Sequence, residues 1–371
     1  MSRAEKTIRG LVEGTDIEIN GDSPGDIQVH DPDFYQRVLS SGSIGLGETY
    51  MDGLWDCEAL DDFIYKLLRA DLEHSISPLK LLLPVIWSKI VNLQSPSRAY
   101  HIGEHHYDIG NDLFKLMLDP RMVYTCGYWK DADNLADAQE AKLDLVCRKV
   151  GLQPGMRVLD IGCGFGSFAG YAAERYGAEV VGVTISREQI KLGQELYPNP
   201  AVDLRFQDYR DVNEKFDRVI SIGMFEAVGT KNFRTFMEVV ERCLNDDGLF
   251  LLHTIGTNTR RHAVDPWINK YIFPAGMLPV LSQVAAAAEG LFVMEDLHNF
   301  GSHYDPTLMA WMANVDKHRD EIRALGYDER FYRMWRFFLL PAAGSDRARR
   351  NQLWQFVYSK RGLDGGYEPI R

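Results

Sequence analysis

Cysteine is scarce and unpatterned in this chain of 371 residues. Cys57, Cys126, Cys147, Cys163 and Cys243 are odd in number, scattered, and never spaced C-x-x-C. That spacing offers neither a disulfide framework nor a zinc site. Long apolar runs are also missing. The longest, Leu79 to Trp87, contains Lys80 and Pro84 and falls far short of the ~20 residues a bilayer span needs. The opening MSRAEKTIRG lacks the apolar core of a signal peptide. Positive charge is in deficit, with a formal net charge of −12. A broad nucleic-acid surface is thereby excluded, although a local basic patch against anionic lipid is not. Internal repeats and low-complexity segments are absent. These absences leave a cytoplasmic protein, and 45% hydrophobic residues suffice for a sizeable core. The length suits one large domain and a smaller one.

The chain is organised around Arg157 to Gly166, RVLDIGCGFG. Val158, Leu159 and Ile161 read as a buried strand with Asp160 near its end. Gly162, Gly164 and Gly166 follow at alternating positions, where the backbone can turn sharply and approach a ligand without a Cβ in the way. A helix continues from Phe168 to Ala173. Strand, glycine turn and helix together build a nucleotide site at the carboxyl end of a parallel sheet. The spacing is G-x-G-x-G with no following Lys-Ser or Lys-Thr, which disfavours both a dinucleotide fingerprint and a P-loop. The motif resembles the first signature of S-adenosylmethionine-dependent methyltransferases.

Ahead of this motif, residues 1–93 read as a separate small α+β domain. Its expected parts are a helix around Ile8 to Val12, strands at Ile17 to Ile19 and Asp26 to His30, and a helix capped by Asp31 with Pro32 first. A glycine-rich loop follows from Gly42 to Gly53, then helices at Asp61 to Ala70 and Leu79 to Val91. Gln94 to Ser97 mark a linker. Tyr100 to Val150 reads as helical. His101, His105 and His106 lack the acidic or cysteine partners of a metal site, so no metal is expected. Residues 94–371 form the second domain. After the glycine turn come strands at Glu179 to Thr184, Val202 to Gln207, Phe216 to Ile222 and Gly248 to Ile255, with helices at Arg187 to Leu196 and Thr230 to Leu244. Leu291 to Glu295 and Trp354 to Ser359 could close the sheet. Repeated βα units imply an α/β, Rossmann-like sheet with helices on both faces. An insertion at Gly256 to Gly290 and helices from Pro306 to about Leu340 shape the pocket.

Asp160, Thr184, Asp208, Glu226 and His253 converge at the carboxyl ends of these strands. A methyl donor needs polar partners for its ribose and adenine, and an environment tolerant of a sulfonium. Thr184 stands where an acidic ribose partner is usual, and Gln189 could supply that contact.

Further stretches carry a closer resemblance: HYDIGNDLF (His106 to Phe114), YTCGYW (Tyr124 to Trp129), VVGVTIS (Val180 to Ser186), QDYRD (Gln207 to Asp211), GMFEAVG (Gly223 to Gly229), LLHTIG (Leu251 to Gly256), DPWINKYIFP (Asp265 to Pro274) and YDPTLMAW (Tyr304 to Trp311). With these motifs the chain resembles the cyclopropane-fatty-acyl-phospholipid synthases, related to the mycolic acid cyclopropane synthases. INGDSPGDIQVHDPDFYQRVL and GLGETYMDGLWDC resemble the extra amino-terminal domain of the bacterial phospholipid enzymes, here a lipid- or membrane-associated domain. The resemblance implies a class I methyltransferase sheet and methyl transfer to a cis double bond of a phospholipid acyl chain. The carbocation so formed is deprotonated by bound bicarbonate. It implies bicarbonate ligands at Cys126, Glu226, His253, the Ile255 backbone and Tyr304. It implies S-adenosylmethionine contacts at Tyr124, Thr125, Asp160, Gly162, Gly164, Thr184, Ile185, Gln189, Gln207, Asp208 and Tyr209. It also implies a homodimer. The extra domain and the lack of a spanning segment lead to the expectation of a peripheral enzyme at the inner face of the membrane, with Arg260, Arg261, Arg347, Arg349 and Arg350 as candidate basic contacts to anionic lipid.

Each residue also has a plain structural reading. Cys126 could be a small buried hydrophobe, His253 a partner for a strand-end carbonyl, Glu226 a cap for the helix near Thr230, and Tyr304 core. Two positions depart from the family pattern. Ala227 stands where His follows the Glu, removing a potential hydrogen bond. Asp346 stands where Phe precedes Arg-x-Arg, placing a charge where a ring would pack. The alternatives are a methyl-branching or other lipid or small-molecule methyltransferase, and a weakly active lipid-binding homologue.

Overall fold

The computed structural model describes residues 1–70, 110–260 and 264–371. The boundary expected at residue 93, the Gln94 to Ser97 linker, the Leu79 to Val91 helix, the three histidines and Arg261 lie outside the described residues. The fold comprises two compact units, each discontinuous in sequence.

One unit gathers the described residues of Met1–Ile90, His262–Pro274 and Tyr304–Asn351. It is mainly helical, with a two-residue antiparallel ribbon of β1 (Gln28–Val29) and β2 (Trp55–Asp56). The first helix, Arg3–Val12, is capped by Ser2, whose hydroxyl accepts from Glu5 N at 3.1 Å. Ile19 makes only an isolated bridge to Ile27, so the strand expected at Ile17 to Ile19 does not form. Trp55 is the hub of the core. Its ring meets Phe34, Tyr50, Phe63 and Phe337, and its Nε1 donates to Leu46 O and Thr49 Oγ1, each at 3.1 Å.

Gly42 to Gly53 is not a loop. Ser43–Met51 is a helix inside it. A Cβ at Gly45 would lie 2.2 Å from Arg37 O, and one at Gly47 would lie 2.4 Å from the Trp267 ring. These glycines let backbone and indole approach a helix closely, so local propensity yields to packing. The long helix Glu329–Arg347 carries Arg347, whose guanidinium binds both oxygens of Asp305 at 2.9 and 3.0 Å and reaches Asp61 at 2.8 Å. Arg350 donates to Leu68 O. Arg347 and Arg350 thus have internal partners, which corrects their expected place in a lipid-facing patch. Asp346 is also buried. Loss of solvent pushes its carboxyl up to about 8, opposed by a hydrogen bond with Asn351 and reinforced by Asp305, so burial favours the neutral form over the charge expected there.

The other unit comprises the described residues of Val91–Arg261, Ala275–His303 and Gln352–Arg371. Its sheet is built from β3 (Arg157–Ile161), β4 (Glu179–Thr184), β5 (Val202–Phe206), β6 (Phe216–Ile222), β7 (Leu244–Thr257), β8 (Val293–Asn299) and β9 (Asn351–Ser359). The order across the sheet is β5-β4-β3-β6-β7-β9-β8. Strands β5 to β7 along that order pair in parallel, while β8 and β9 pair antiparallel. Side chains alternate between faces with period two. Leu159 and Ile161 pack with Phe236 and Val240 on one side, and Val158 packs with Val146, Ala169 and Ala172 on the other. A sheet covered on both faces reads as near-continuous apolar runs.

Candidate active site

The glycine turn is tied to its neighbouring strand. Gly162 N and Cys163 N both donate to Val183 O, at 2.9 and 3.1 Å. The two glycines ahead of the helix differ in kind. Gly162 has φ +78°, and a Cβ there would sit 2.4 Å from Met224 Cγ. Gly164 has φ +56°, and its Cβ would find nothing nearer than Gln189 Nε2 at 3.9 Å. Gly162 is therefore demanded by the fold, whereas Gly164 borders open space where a ligand can approach.

Gln189 Nε2 faces Gly164, and the other residues expected to bind a cofactor belong to the same unit. Thr184 Oγ1 donates to Gln189 Oε1 at 3.0 Å, and Ser186 caps the helix Arg187–Leu196 through Gln189 N. Ile185 is half-buried between them. Gln207 N donates to Thr184 O at 3.1 Å. Asp208 is engaged by Arg210, whose Nε donates at 2.8 Å and whose backbone N donates at 2.9 Å. Tyr209 is buried with its ring against Phe236. Tyr124 meets Phe114 edge-on at 5.0 Å.

Beneath the turn lies an ammonium group that sequence reasoning missed. Lys142 is 1% exposed, and its Nζ donates to Thr125 Oγ1 at 2.8 Å. Three residues earlier on the same helix, Leu135–Lys149, Gln139 Nε2 donates to Thr125 O at 2.7 Å. The two side chains clamp Thr125, and with it the adjoining Cys126, which is fully buried and whose Sγ donates to Gly127 O. Burial pushes Lys142 down to about 8, opposed by Asp119, Cys126 and Asp160. Burial likewise pushes Asp160 up to about 7, while Lys142 pulls it back. The two groups offset each other's desolvation under the cofactor space. Polar residues inside the helix's otherwise apolar buried stripe were the available sequence signal.

At the ends of β6 and β7 a second cluster forms. Ile222 on β6 pairs with His253 on β7. A short 3-10 helix, Phe225–Ala227, follows β6 and carries Glu226, whose Oε1 accepts from Ile255 N at 2.6 Å. The residue as a whole is half-buried, but Glu226 Oε2 is shut off from solvent and has no hydrogen-bond partner among the described residues. Burial pushes this carboxyl up to about 7, against the hydrogen bond from Ile255. His253 is 1% exposed, and its Nδ1 lies 3.2 Å from Gln355 Nε2 while Nε2 has no partner. Burial, helped by Lys142, Lys149 and His298, holds the imidazole well below its ordinary value and therefore neutral. Ala227 is exposed on its turn.

The structure thus brings Glu226 and Ile255 into direct contact and sets His253 on the same strand end. Tyr304 belongs to the other unit, where it opens the helix Tyr304–Lys317 with its ring edge-on to Trp311. Besides Lys142 and Gln139, the residue that sequence reasoning missed is Gln355. Its signal was a lone amide within the apolar run LWQFVY of β9. Among the described residues no three His, Cys, Asp or Glu side chains come together as a metal site.

A sheet in this strand order, a glycine turn after its first parallel strand, and polar groups over the carboxyl ends of the neighbouring strands define a class I S-adenosylmethionine-dependent methyltransferase. Residues 94–356 match the mycolic acid cyclopropane synthetase family, and the chain belongs to that family. It is 54% identical over 362 residues to the cyclopropane-fatty-acyl-phospholipid synthase of Escherichia coli (strain K12), covering 97% of this chain and 94% of that protein. Among solved structures it is similar to the cyclopropane synthase MmaA2 from Mycobacterium tuberculosis. The TM-score is 0.67 and the identity 32%, with 70% of this chain and 98% of that one covered. A crystal structure of mycolic acid cyclopropane synthase CmaA1 complexed with SAH and CTAB gives a TM-score of 0.65 and 33% identity, covering 70% of this chain and 98% of that one.

Proposed function

We propose that this methyltransferase transfers the methylene carbon of S-adenosylmethionine to a cis double bond of a phospholipid acyl chain, forming a cyclopropane fatty acid. The observation that carries the reading is the pair of buried, unpartnered atoms Glu226 Oε2 and His253 Nε2. Leaving such atoms unsatisfied is costly. A small oxyanion that can both accept and share a proton satisfies the two at once. The residues therefore fit bicarbonate, held by Glu226, His253 and the Ile255 backbone, with Cys126 and Tyr304 as the further ligands the family resemblance assigns. The open face of Gly164, with Asp160, Thr184 and Gln189 around it, fits S-adenosylmethionine.

S-adenosylmethionine supplies an electrophilic methyl group. The alkene would attack it with its π electrons as the S–CH₃ bond breaks and S-adenosylhomocysteine leaves, giving a carbocation on the acyl chain. Loss of a proton from the new methyl group and closure of one carbon–carbon bond complete the ring. Bicarbonate, held by Glu226, His253 and the Ile255 backbone, would supply the base for that proton. Glu226, near pKa 7, can share a proton with an anion beside it instead of repelling it. Lys142 and Gln139 hold the Thr125–Cys126 turn in place. The buried rings of Tyr128 and Phe300 keep the surroundings apolar and suit a cation.

Residues 1–93 would then act as a lipid-associated domain and residues 94–371 as the catalytic domain of a cytoplasmic homodimer, peripheral at the inner membrane face. Consistent with peripheral contact, among the described residues no helix is long and apolar enough to cross a membrane. Mass spectrometry of lipids from cells expressing the chain tests the chemistry. A gain of one methylene with loss of the alkene is expected, whereas a methyl branch or a retained double bond would replace this reading with a methyl-branching one. Turnover in carbonate-depleted buffer, with bicarbonate added back, tests the base.

A further inference from the structure

His253 has two ring nitrogens, and which of them carries the proton decides what the site can offer. Gln355 is fully buried on β9, the sheet neighbour of β7, and its amide nitrogen lies 3.2 Å from His253 Nδ1. The amide turns its NH₂, which can only donate, toward Nδ1 and leaves its Oε1 buried without a partner among the described residues, an orientation in which Nδ1 accepts. A neutral imidazole then carries its one proton on Nε2, the atom that is buried and unpartnered. We infer that Gln355 is a positioning residue that fixes His253 as the Nε2–H tautomer, making it a hydrogen-bond donor to the bound anion and not a base. The inference rests on the anion site proposed above.

The surroundings support a fixed ring. Phe300 meets the His253 ring edge-on at 5.7 Å. Gln355 pairs across the sheet with His298 on β8, whose Nδ1 lies 3.1 Å from the buried Lys149 Nζ. Lys149 is in turn 3.6 Å from Asp296, which the terminal Arg371 engages through both oxygens at 2.6 and 2.7 Å. Burial of the ring, together with the buried Lys142 and Lys149, disfavours a second proton on His253. Proton removal from the substrate must then fall to the anion, with His253 holding that anion in place.

The test is ¹⁵N NMR of the full chain labelled at histidine, with the His253 signal identified by its loss in His253→Gln. In the wild type the spectrum should show a protonated Nε2 and a bare Nδ1. This measurement needs no variant of Gln355. Gln355→Glu places an acceptor at Nδ1 and should move the proton there, while Gln355→Leu should leave a mixture of tautomers. ¹³C-bicarbonate titration should then show about tenfold weaker binding in Gln355→Glu, the scale of one lost hydrogen bond to a charged group. A wild-type Nδ1–H tautomer, or a tautomer indifferent to both substitutions, overturns the role of Gln355. A tautomer that moves in Gln355→Glu with unchanged bicarbonate affinity upholds that role and overturns the anion site.

Discussion

Replacing Glu226 by Gln should make the protein more stable and less active. The Gln amide oxygen can keep accepting from Ile255 N, which lies 2.6 Å from Oε1 in the wild type. What disappears is a carboxylate that the fold holds away from water. Moving that carboxyl from an ordinary 4.5 to about 7 costs the folded state up to about 3 kcal/mol once it is ionised. The sign follows from the raised folded value. Below pH 4.5 the group is protonated in folded and unfolded chains alike, and the cost vanishes. It grows between pH 4.5 and 7 and is constant above. A buried amide NH₂ without a partner returns part of the gain, about 1 kcal/mol. Glu226→Gln should therefore be about 2 kcal/mol more stable than wild type at pH 8 and about 1 kcal/mol less stable at pH 4.5, where only the amide cost is left. Urea denaturation in carbonate-free buffer at both pH values measures the difference. Turnover should fall much more than affinity for S-adenosylmethionine. A stability gap that is the same at both pH values, or that narrows as pH rises, refutes the burial argument.

Asp346→Asn should stabilise the other unit in the same sense. Its carboxyl rises from 3.8 to about 8, so the gain should grow through that range and plateau above pH 8 at no more than about 6 kcal/mol, read as melting temperature against pH. Gly164→Ala adds a Cβ to open space at positive φ and should cost only about 1 kcal/mol of stability. Its calorimetric affinity for S-adenosylmethionine should nonetheless fall, and an unchanged affinity removes Gly164 from the cofactor site. Gly162→Ala, with Met224 at 2.4 Å, should be the more destabilised of the pair in thermal melts. Lys142→Met leaves Asp160 buried without its counter-charge and should cost about 3 kcal/mol. Adding Asp160→Asn should recover part of that loss, and strictly additive effects in the double-mutant cycle would disprove the pairing.

The sheet was legible because a parallel sheet buried on both faces leaves short apolar runs bounded by turn residues. Arg157–Ile161 and Glu179–Thr184 were found to the residue on that pattern. Glu226 and His253 were expected together because strand ends are where such folds collect polar side chains, whereas the Ile255 backbone entered only through the family resemblance. Ser43–Met51 was misread because a glycine that serves close packing looks like a glycine that serves a turn. The difference lies in Arg37 and in Trp267, and the latter is more than two hundred residues further along the chain. Lys142 and Gln355 escaped for a related reason. A lysine on an amphipathic helix reads as solvated, and only its meeting with Thr125 and Asp160 reveals a buried cation. A glutamine inside an apolar strand gains its meaning from a histidine on the neighbouring strand.

The discontinuity of the amino-terminal unit governs how the chain can be made and cut. Its core draws on Trp55 near the start and on Trp267, Trp335 and Phe337 much later. As synthesis proceeds from the amino terminus, the first seventy residues emerge well before those partners exist. That unit closes only when the helix Glu329–Arg347 has been released, after nearly the whole chain has been translated. The carboxy-terminal unit waits as well, since β9 at Asn351–Ser359 lies inside its sheet. Neither unit is a severable block. Removing residues 1–92 would strip Trp267 and Phe337 of their packing partners and produce an aggregation-prone remnant instead of a free catalytic domain. The proposed division of labour between membrane attachment and catalysis is therefore to be probed by point substitutions in the intact chain, not by truncation.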